Sequence, residues 1–164
     1  NGLLASAKDR GEHAIVVRAL AEGLAGICRE LEMPAEPKLL SVANIHHLHT
    51  PLRARLQPGR TLLDAVERLH PTPAVGGWPR DPALRFIRAQ EGLDRGWYAA
   101  PVGWLDRHGA GEFAVALRSA LVEGASATLF AGCGIVADSD PDQEYAESAI
   151  KLRPMLSALA GRAR

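Results

Sequence analysis

Apolar and polar residues change their spacing several times along the chain, and each change marks an element. Over residues 10–32, Val16, Leu20, Ile27 and Leu31 fall on one stripe with Leu24 beside it. Lys8, Glu12 and Arg18 lie off most of that stripe, which predicts a helix capped by Asp9. Residues 33–38 hold Pro34 and Pro37 and read as a loop. Residues 39–49 read as one strand, apolar at first and then rich in histidine (His46, His47, His49). Residues 50–59 read as a loop, and Thr61 caps a short helix over 62–69. Prolines and glycines in 70–77 predict an irregular turn, and 81–91 reads as another helix.

From Tyr98 onward the pattern predicts a β-meander, with strands over 98–106, 112–122 and 127–131. In the middle strand Phe113, Val115, Leu117 and Leu121 share one face, and Ala114, Ala116, Arg118 and Ala120 share the other. A last helix follows, with Asp140 as N-cap, Pro141 at the first helical position and Gln143 completing a capping box. Pro154 falls inside that helix and is expected to kink or end it, since an interior proline costs about 3 kcal/mol. The order is that of an α+β fold, an antiparallel sheet with helices packed on one face.

The length of 164 residues suits one domain with a real core. With 19 basic and 19 acidic residues, the chain is not expected to hold nucleic acid by bulk charge. No apolar run of about 18 residues is present to span a membrane. The start has no apolar block of a signal peptide, and no initiator Met, so the chain reads as a piece of something longer. Cys28 and Cys133 are isolated, lack metal or redox spacing, and fit a reducing cytoplasm.

Candidate chemistry concentrates in residues 128–151, where a strand runs into Gly132 and Gly134 before the last helix opens. Glu144, Glu147 and Lys151 stand at i, i+3 and i+7 and share a face. Such a stripe is either a solvated face with an ordinary Glu147–Lys151 pair or a place for a metal and an anion together. Arg118 among alanines either grips a carboxylate through both guanidinium nitrogens or reaches out to solvent. Glu12, in the first turn of its helix, favours the helix dipole. The histidines of 46–49 alternate faces in a strand and lack a Cys or Glu at zinc spacing, so one of them pointing into a site is favoured over a zinc centre.

Six phrases, in order along the chain, resemble the C-terminal half of the chorismate-utilising enzymes. They are residues 3–13 (LLASAKDRGEH), 45–50 (IHHLHT), 70–77 (HPTPAVGG), 94–104 (DRGWYAAPVGW), 111–119 (GEFAVALRS) and 128–151. The resemblance implies that residues 1–164 are the C-terminal part of a chorismate-binding domain, about half of a two-sheet sandwich. It implies magnesium held by Glu12, Glu144 and Glu147, and an active-site histidine at His47. It implies a substrate carboxylate bound by Tyr98 and Arg118, backbone approach at Gly132 and Gly134, and an anion contact from Lys151. Ala74 matches the position that selects the nucleophile. Its identity, with the phrases around it, is most similar to isochorismate synthases, which add water at C2 of chorismate with loss of the C4 hydroxyl. The product feeds menaquinone or siderophore synthesis. Salicylate synthase, the aminating anthranilate and aminodeoxychorismate synthases, and a non-catalytic half-domain are the alternatives. The family's lysine base and glutamate acid find no match in this chain. The resemblance therefore implies a missing N-terminal half, a fragment inactive alone, and an exposed apolar face prone to non-native dimerisation.

Overall fold

The structure, a computed structural model, describes residues 2–42 and 45–161. It contains six helices and eight strands among those residues, and the chain divides into two compact units. The first holds residues 1–91 and 104–112, the second residues 92–103 and 113–164.

In the first unit, α1 (Gly2–Ala5) leads into α2 (Ala7–Ala25). Ser6, not Asp9, is the N-cap of α2, its hydroxyl accepting from the Asp9 N–H at 3.2 Å. The helix also ends at Gly26, well short of the predicted residue 32, and the chain re-forms as β1 (Cys28–Glu32). The reason lies in a bulge. The register of β1 against β4 (Arg53–Leu56) shifts between Cys28 and Glu30, so Cys28 and Leu31 both turn inward, three residues apart. That spacing is the one a helix would give, and it extended the helical pattern into a strand. β4 itself fell in a predicted loop. Only Leu56 of its four residues is turned partly inward, so no alternation marks it.

The core of this unit joins α2, β1, β4 and α3 (Leu62–Leu69). Ile27 is fully buried, Leu24 and Ala65 nearly so, and Cys28, Leu31, Leu52, Leu56 and Leu69 pack around them. α3 begins at Thr61 as predicted. Asp64 accepts from the Thr61 N–H at 2.8 Å, and the Asp64 N–H donates to the Thr61 hydroxyl at 3.3 Å, closing a reciprocal capping box.

The predicted strand over 39–49 is two strands, β2 (Lys38–Val42) and β3 (Ile45–His49), paired antiparallel. The reversal between them, residues 43 and 44, lies outside the described residues. α4 (Pro73–Gly76) opens with Pro73 in its first turn and closes at Gly77, and α5 (Arg80–Gln90) follows. Gly77 is obligatory: φ is +74°, and a Cβ there would stand 2.6 Å from the Ala83 methyl.

Two hairpins supply the remaining strands, β5 (Pro101–Leu105) with β6 (Gly111–Val115), and β7 (Ser119–Glu123) with β8 (Ser126–Phe130). The strand predicted over 112–122 is broken between β6 and β7. The Leu117 N–H turns back onto the Val115 carbonyl at 2.8 Å, and Arg118 adopts φ +49°. The backbone of Ala116 instead bonds outward, donating to Ala100 and accepting from Ala99. Alternation therefore fails here: Phe113 and Val115 are half-buried while Leu117 and Leu121 are exposed. Tyr98, placed by prediction in a strand, lies in the turn before β5.

α6 (Pro141–Leu159) completes the second unit. Asp140 caps it, accepting from the Gln143 N–H at 2.9 Å. The helix does not end at Pro154 but continues to Leu159, since the turns on either side keep their own bonds.

Candidate active site

The second unit gathers most of the candidate residues at the junction of β8 and α6. After Phe130 the chain runs without regular structure through Ala131, Gly132, Cys133 and Gly134 before α6 begins. Helical spacing places Glu144, Glu147 and Lys151 on one face, and all three meet this segment. Lys151 Nζ stands 2.8 Å from Glu147 Oε1, donates to the Gly132 carbonyl at 3.2 Å and lies 3.7 Å from Cys133 Sγ. The Cys133 thiol in turn donates to the Glu144 backbone carbonyl at 3.3 Å. Glu144 is 9% exposed, uncommon for a carboxylate on a helix, whereas Glu147 is open to solvent.

Burial is the largest influence on the Lys151 ammonium and pulls its pKa down. The hydrogen bond to Glu147 and the neighbouring negative charges outweigh it, and the net displacement is upward. The Cys133 thiol is pushed up, first by burial and then by Glu147 and Glu144, against the opposing pull of Lys151. Lys151 is thus held on the stripe while Glu147 stays exposed.

Tyr98 borders the same segment. Its ring stacks on Phe130 with centroids 5.4 Å apart and planes 18° apart, and the Arg95 guanidinium lies 5.8 Å from the ring centroid. A Cβ added at Gly132 would come 3.0 Å from Tyr98 Oη, so the glycine lets the phenol close against the backbone. Gly134 is exposed in the segment leading to α6. Arg118 precedes Ser119, the residue of β7 that pairs with Phe130, and its side chain is exposed. It projects from a left-handed bend, not from a strand face of alanines.

Glu12, His47 and Ala74 belong to the first unit. Glu12 is half-buried on α2, 4.0 Å from Lys8 Nζ. His47 is exposed on β3 opposite Leu40, and Ala74 is exposed on α4. The neighbouring histidines are engaged locally. His46 Nδ1 hydrogen-bonds Ser41 Oγ and His13 Nε2 hydrogen-bonds Thr50 Oγ1, both at 2.8 Å. Burial first, and then the nearby His49, hold the His13 pKa below its ordinary value.

Among the described residues, one group of three Cys, His, Asp or Glu donors can converge on a cation: Cys133, Glu144 and Glu147, with ligand atoms within 4.8 Å of one another. The two carboxylates fit a hard ion such as magnesium, which takes one or two protein carboxylates and completes its shell with water or substrate oxygens. The thiol is foreign to that donor set. Sequence reading missed Cys133 because no second ligand stands at motif spacing; its partners lie 11 and 14 positions on, brought back by the turn into α6. The signal that was present is its place between two glycines at the mouth of the acidic helix.

Residues 1–160 match the family model for chorismate binding enzyme. Among curated proteins, the salicylate biosynthesis isochorismate synthase of Pseudomonas aeruginosa is 54% identical over 158 residues, 96% of this chain and 33% of that protein. Among solved structures, MenF, the menaquinone-specific isochorismate synthase of Escherichia coli, superposes with a TM-score of 0.84 at 34% identity, covering 94% of this chain and 35% of its own. Anthranilate synthase component I of Streptococcus pneumoniae superposes with a TM-score of 0.87 at 29% identity, covering 94% of this chain and 36% of its own. The chain thus spans about a third of the length of the curated relatives it matches. No helix among the described residues is long and apolar enough to cross a membrane. The match runs nearly end to end, and the chain belongs to the chorismate binding enzyme family.

Proposed function

We propose that this chain is the metal- and substrate-holding part of a longer isochorismate synthase that converts chorismate to isochorismate in the cytoplasm, adding water at C2 with loss of the C4 hydroxyl. The observation that carries the reading is the convergence of Glu144, Glu147 and Lys151 on the glycine segment 132–134. A dianionic substrate needs both a cation site and an anion clamp, and this face offers carboxylates for the one and an ammonium for the other. The names of the relatives support the isochorismate reading over the aminating ones.

Glu144 and Glu147 would hold magnesium, and the family resemblance adds Glu12 as a ligand. When bound, the ion supplies charge neutralisation for a carboxylate and Lewis acidity at a departing hydroxyl. The rest falls to the chain. Lys151, held by Glu147, the Gly132 carbonyl and the Cys133 sulfur, would turn one N–H from these partners to a substrate carboxylate. Arg118, presented from its bend, and the Tyr98 hydroxyl grip the other carboxylate. Gly132 and Gly134 allow backbone approach without side-chain obstruction. The family resemblance makes His47 an active-site histidine. The same resemblance makes Ala74 the position that selects the nucleophile. The proton-transfer acid and base come from the part of the longer protein outside this chain, so residues 1–164 alone are inactive.

The test is product analysis. The longer polypeptide, incubated with chorismate and magnesium, is expected to give isochorismate on chromatography without ammonia. Release of salicylate and pyruvate would move the assignment to salicylate synthase, and an ammonia-dependent product to the aminating branch. Glu147→Gln in that polypeptide is expected to abolish magnesium-dependent turnover; unchanged turnover removes the metal assignment. Full activity from residues 1–164 alone would overturn the division of labour.

A further inference from the structure

Cys133 is unexplained by the reading above. A hard cation does not call for a thiol, yet its sulfur lies within 4.8 Å of one oxygen from each of Glu144 and Glu147. We propose that Cys133, Glu144 and Glu147 form a mixed sulfur–carboxylate site for a thiophilic divalent cation of the zinc and cadmium class. The inference rests on the assignment of the two glutamates as cation ligands and adds a third donor with a different preference.

Geometry supports it first. Bonds of about 2.0 Å to oxygen and 2.3 Å to sulfur place the donors of a tetrahedral ion roughly 3.3–3.5 Å apart. The three donors therefore need to close by about one ångström, within the reach of side-chain torsions. They come from two elements held in register. The thiol is tied to the Glu144 carbonyl, and the same carbonyl belongs to the residue that carries a donor carboxylate.

Charge sets the terms of entry. The Lys151 ammonium lies 2.8 Å from Glu147 Oε1 and 3.7 Å from Cys133 Sγ, touching two of the three donors at once. A divalent ion entering the cluster displaces that ammonium, exchanging one positive charge for two beside the two carboxylates. Sulfur then decides which ion. Two carboxylates and water oxygens do not distinguish strongly among divalent ions, while a thiolate selects the softer ones. On binding, the Cys133 thiol releases its proton to solvent and coordinates as thiolate. A thiophilic ion and magnesium would share both glutamates and exclude each other, so the softer ion inhibits.

Cadmium chloride is the probe. Cys28→Ala leaves Cys133 as the sole thiol of the chain. That variant is expected to bind one equivalent of cadmium with the ultraviolet sulfur-to-cadmium charge-transfer band. Cys133→Ser on the same background is expected to lose the band and weaken cadmium at least tenfold, with magnesium binding by heat titration unchanged. No band, or equal cadmium affinity in the serine variant, overturns the proposal. Should the serine variant fail to fold, the Cys28→Ala chain itself decides. One equivalent of cadmium must slow the reaction of Cys133 with a disulfide reagent, and an unchanged rate overturns the proposal. Magnesium binding without cadmium binding removes this inference and leaves the proposed function intact. Cadmium binding without magnesium binding does the reverse.

Discussion

At the residue scale, Lys151 separates a structural role from a binding one. Its pair with Glu147 links two positions of α6, and Glu147 is exposed, so the pair by itself adds little to stability. Lys151→Met is expected to cost under about 1 kcal/mol, while raising the chorismate KM of the longer polypeptide at least tenfold. A large loss of stability with unchanged KM would reassign Lys151 as a strut between α6 and Gly132. The pH dependence has a definite sign. The Lys151 pKa is raised in the folded state, so its contribution is whole below the ordinary lysine value and is lost as pH rises through the folded one. Urea midpoints of the native chain and Lys151→Met are expected to differ at neutral pH and converge only above about pH 10.4. Gly132 gives a second residue-scale outcome. Gly132→Ala sets a methyl 3.0 Å from Tyr98 Oη, and Phe130 stacks against that ring, so the phenol must shift a few tenths of an ångström. The expected result is weaker substrate binding with a stability change inside ordinary surface values, about 0.5 kcal/mol.

At the scale of elements, local chemistry in the sequence was most legible where a cap fixed the boundary. Thr61 before α3 and Asp140 before α6 each set an N-terminus that the structure keeps, because the oxygen that accepts the orphan N–H is a neighbour in sequence. The misread boundaries depend on partners far along the chain. β1 was absorbed into a helix because its bulge reproduces a three-residue spacing, and β4 was unreadable without the strand it pairs with. The break at residues 116–118 follows from hydrogen bonds to Ala99 and Ala100, which no local pattern announces. The site divided the same way: the stripe on α6 was legible from spacing, whereas Cys133 needed the turn that folds its partners back. Two outcomes belong here. Ile27→Ala, in the turn between α2 and β1, removes the one fully buried large side chain among the described residues and is expected to cost roughly 2–5 kcal/mol in denaturant unfolding. In α3 the Asp64 carboxyl is held at about 2, first by the Thr61 hydroxyl, then by the Thr61 N–H and by Arg60. A depressed carboxylate contributes above its unfolded value and ceases to as pH falls through the folded one. Asp64→Asn is therefore expected to lower thermal stability at pH 7 and to converge with the native chain only below about pH 2; a difference independent of pH would discount the capping box.

For the whole molecule the deciding quantity is apolar surface. In the second unit Trp97 is 82% exposed, Tyr145 78%, Ile135 71% and Val122 59%, and Ile150 and Leu156 on α6 are more than half exposed. Single exposed apolar residues are ordinary, but this many large ones in one small unit exceed what a monomer's surface usually carries. The chain also spans about a third of its relatives' length, so a longer protein of that kind has ample sequence to cover them. If the remainder of that protein packs on this surface, the chain produced alone must hide it by other means. Sedimentation velocity over a range of concentrations is expected to show reversible dimers or larger species, with binding of an apolar dye that rises in the dissociated form. The longer polypeptide is expected to lose the dye signal and the concentration dependence together, because one covering segment removes both. A chain that stays monomeric and dye-silent throughout would mean that its exposed side chains are tolerated singly.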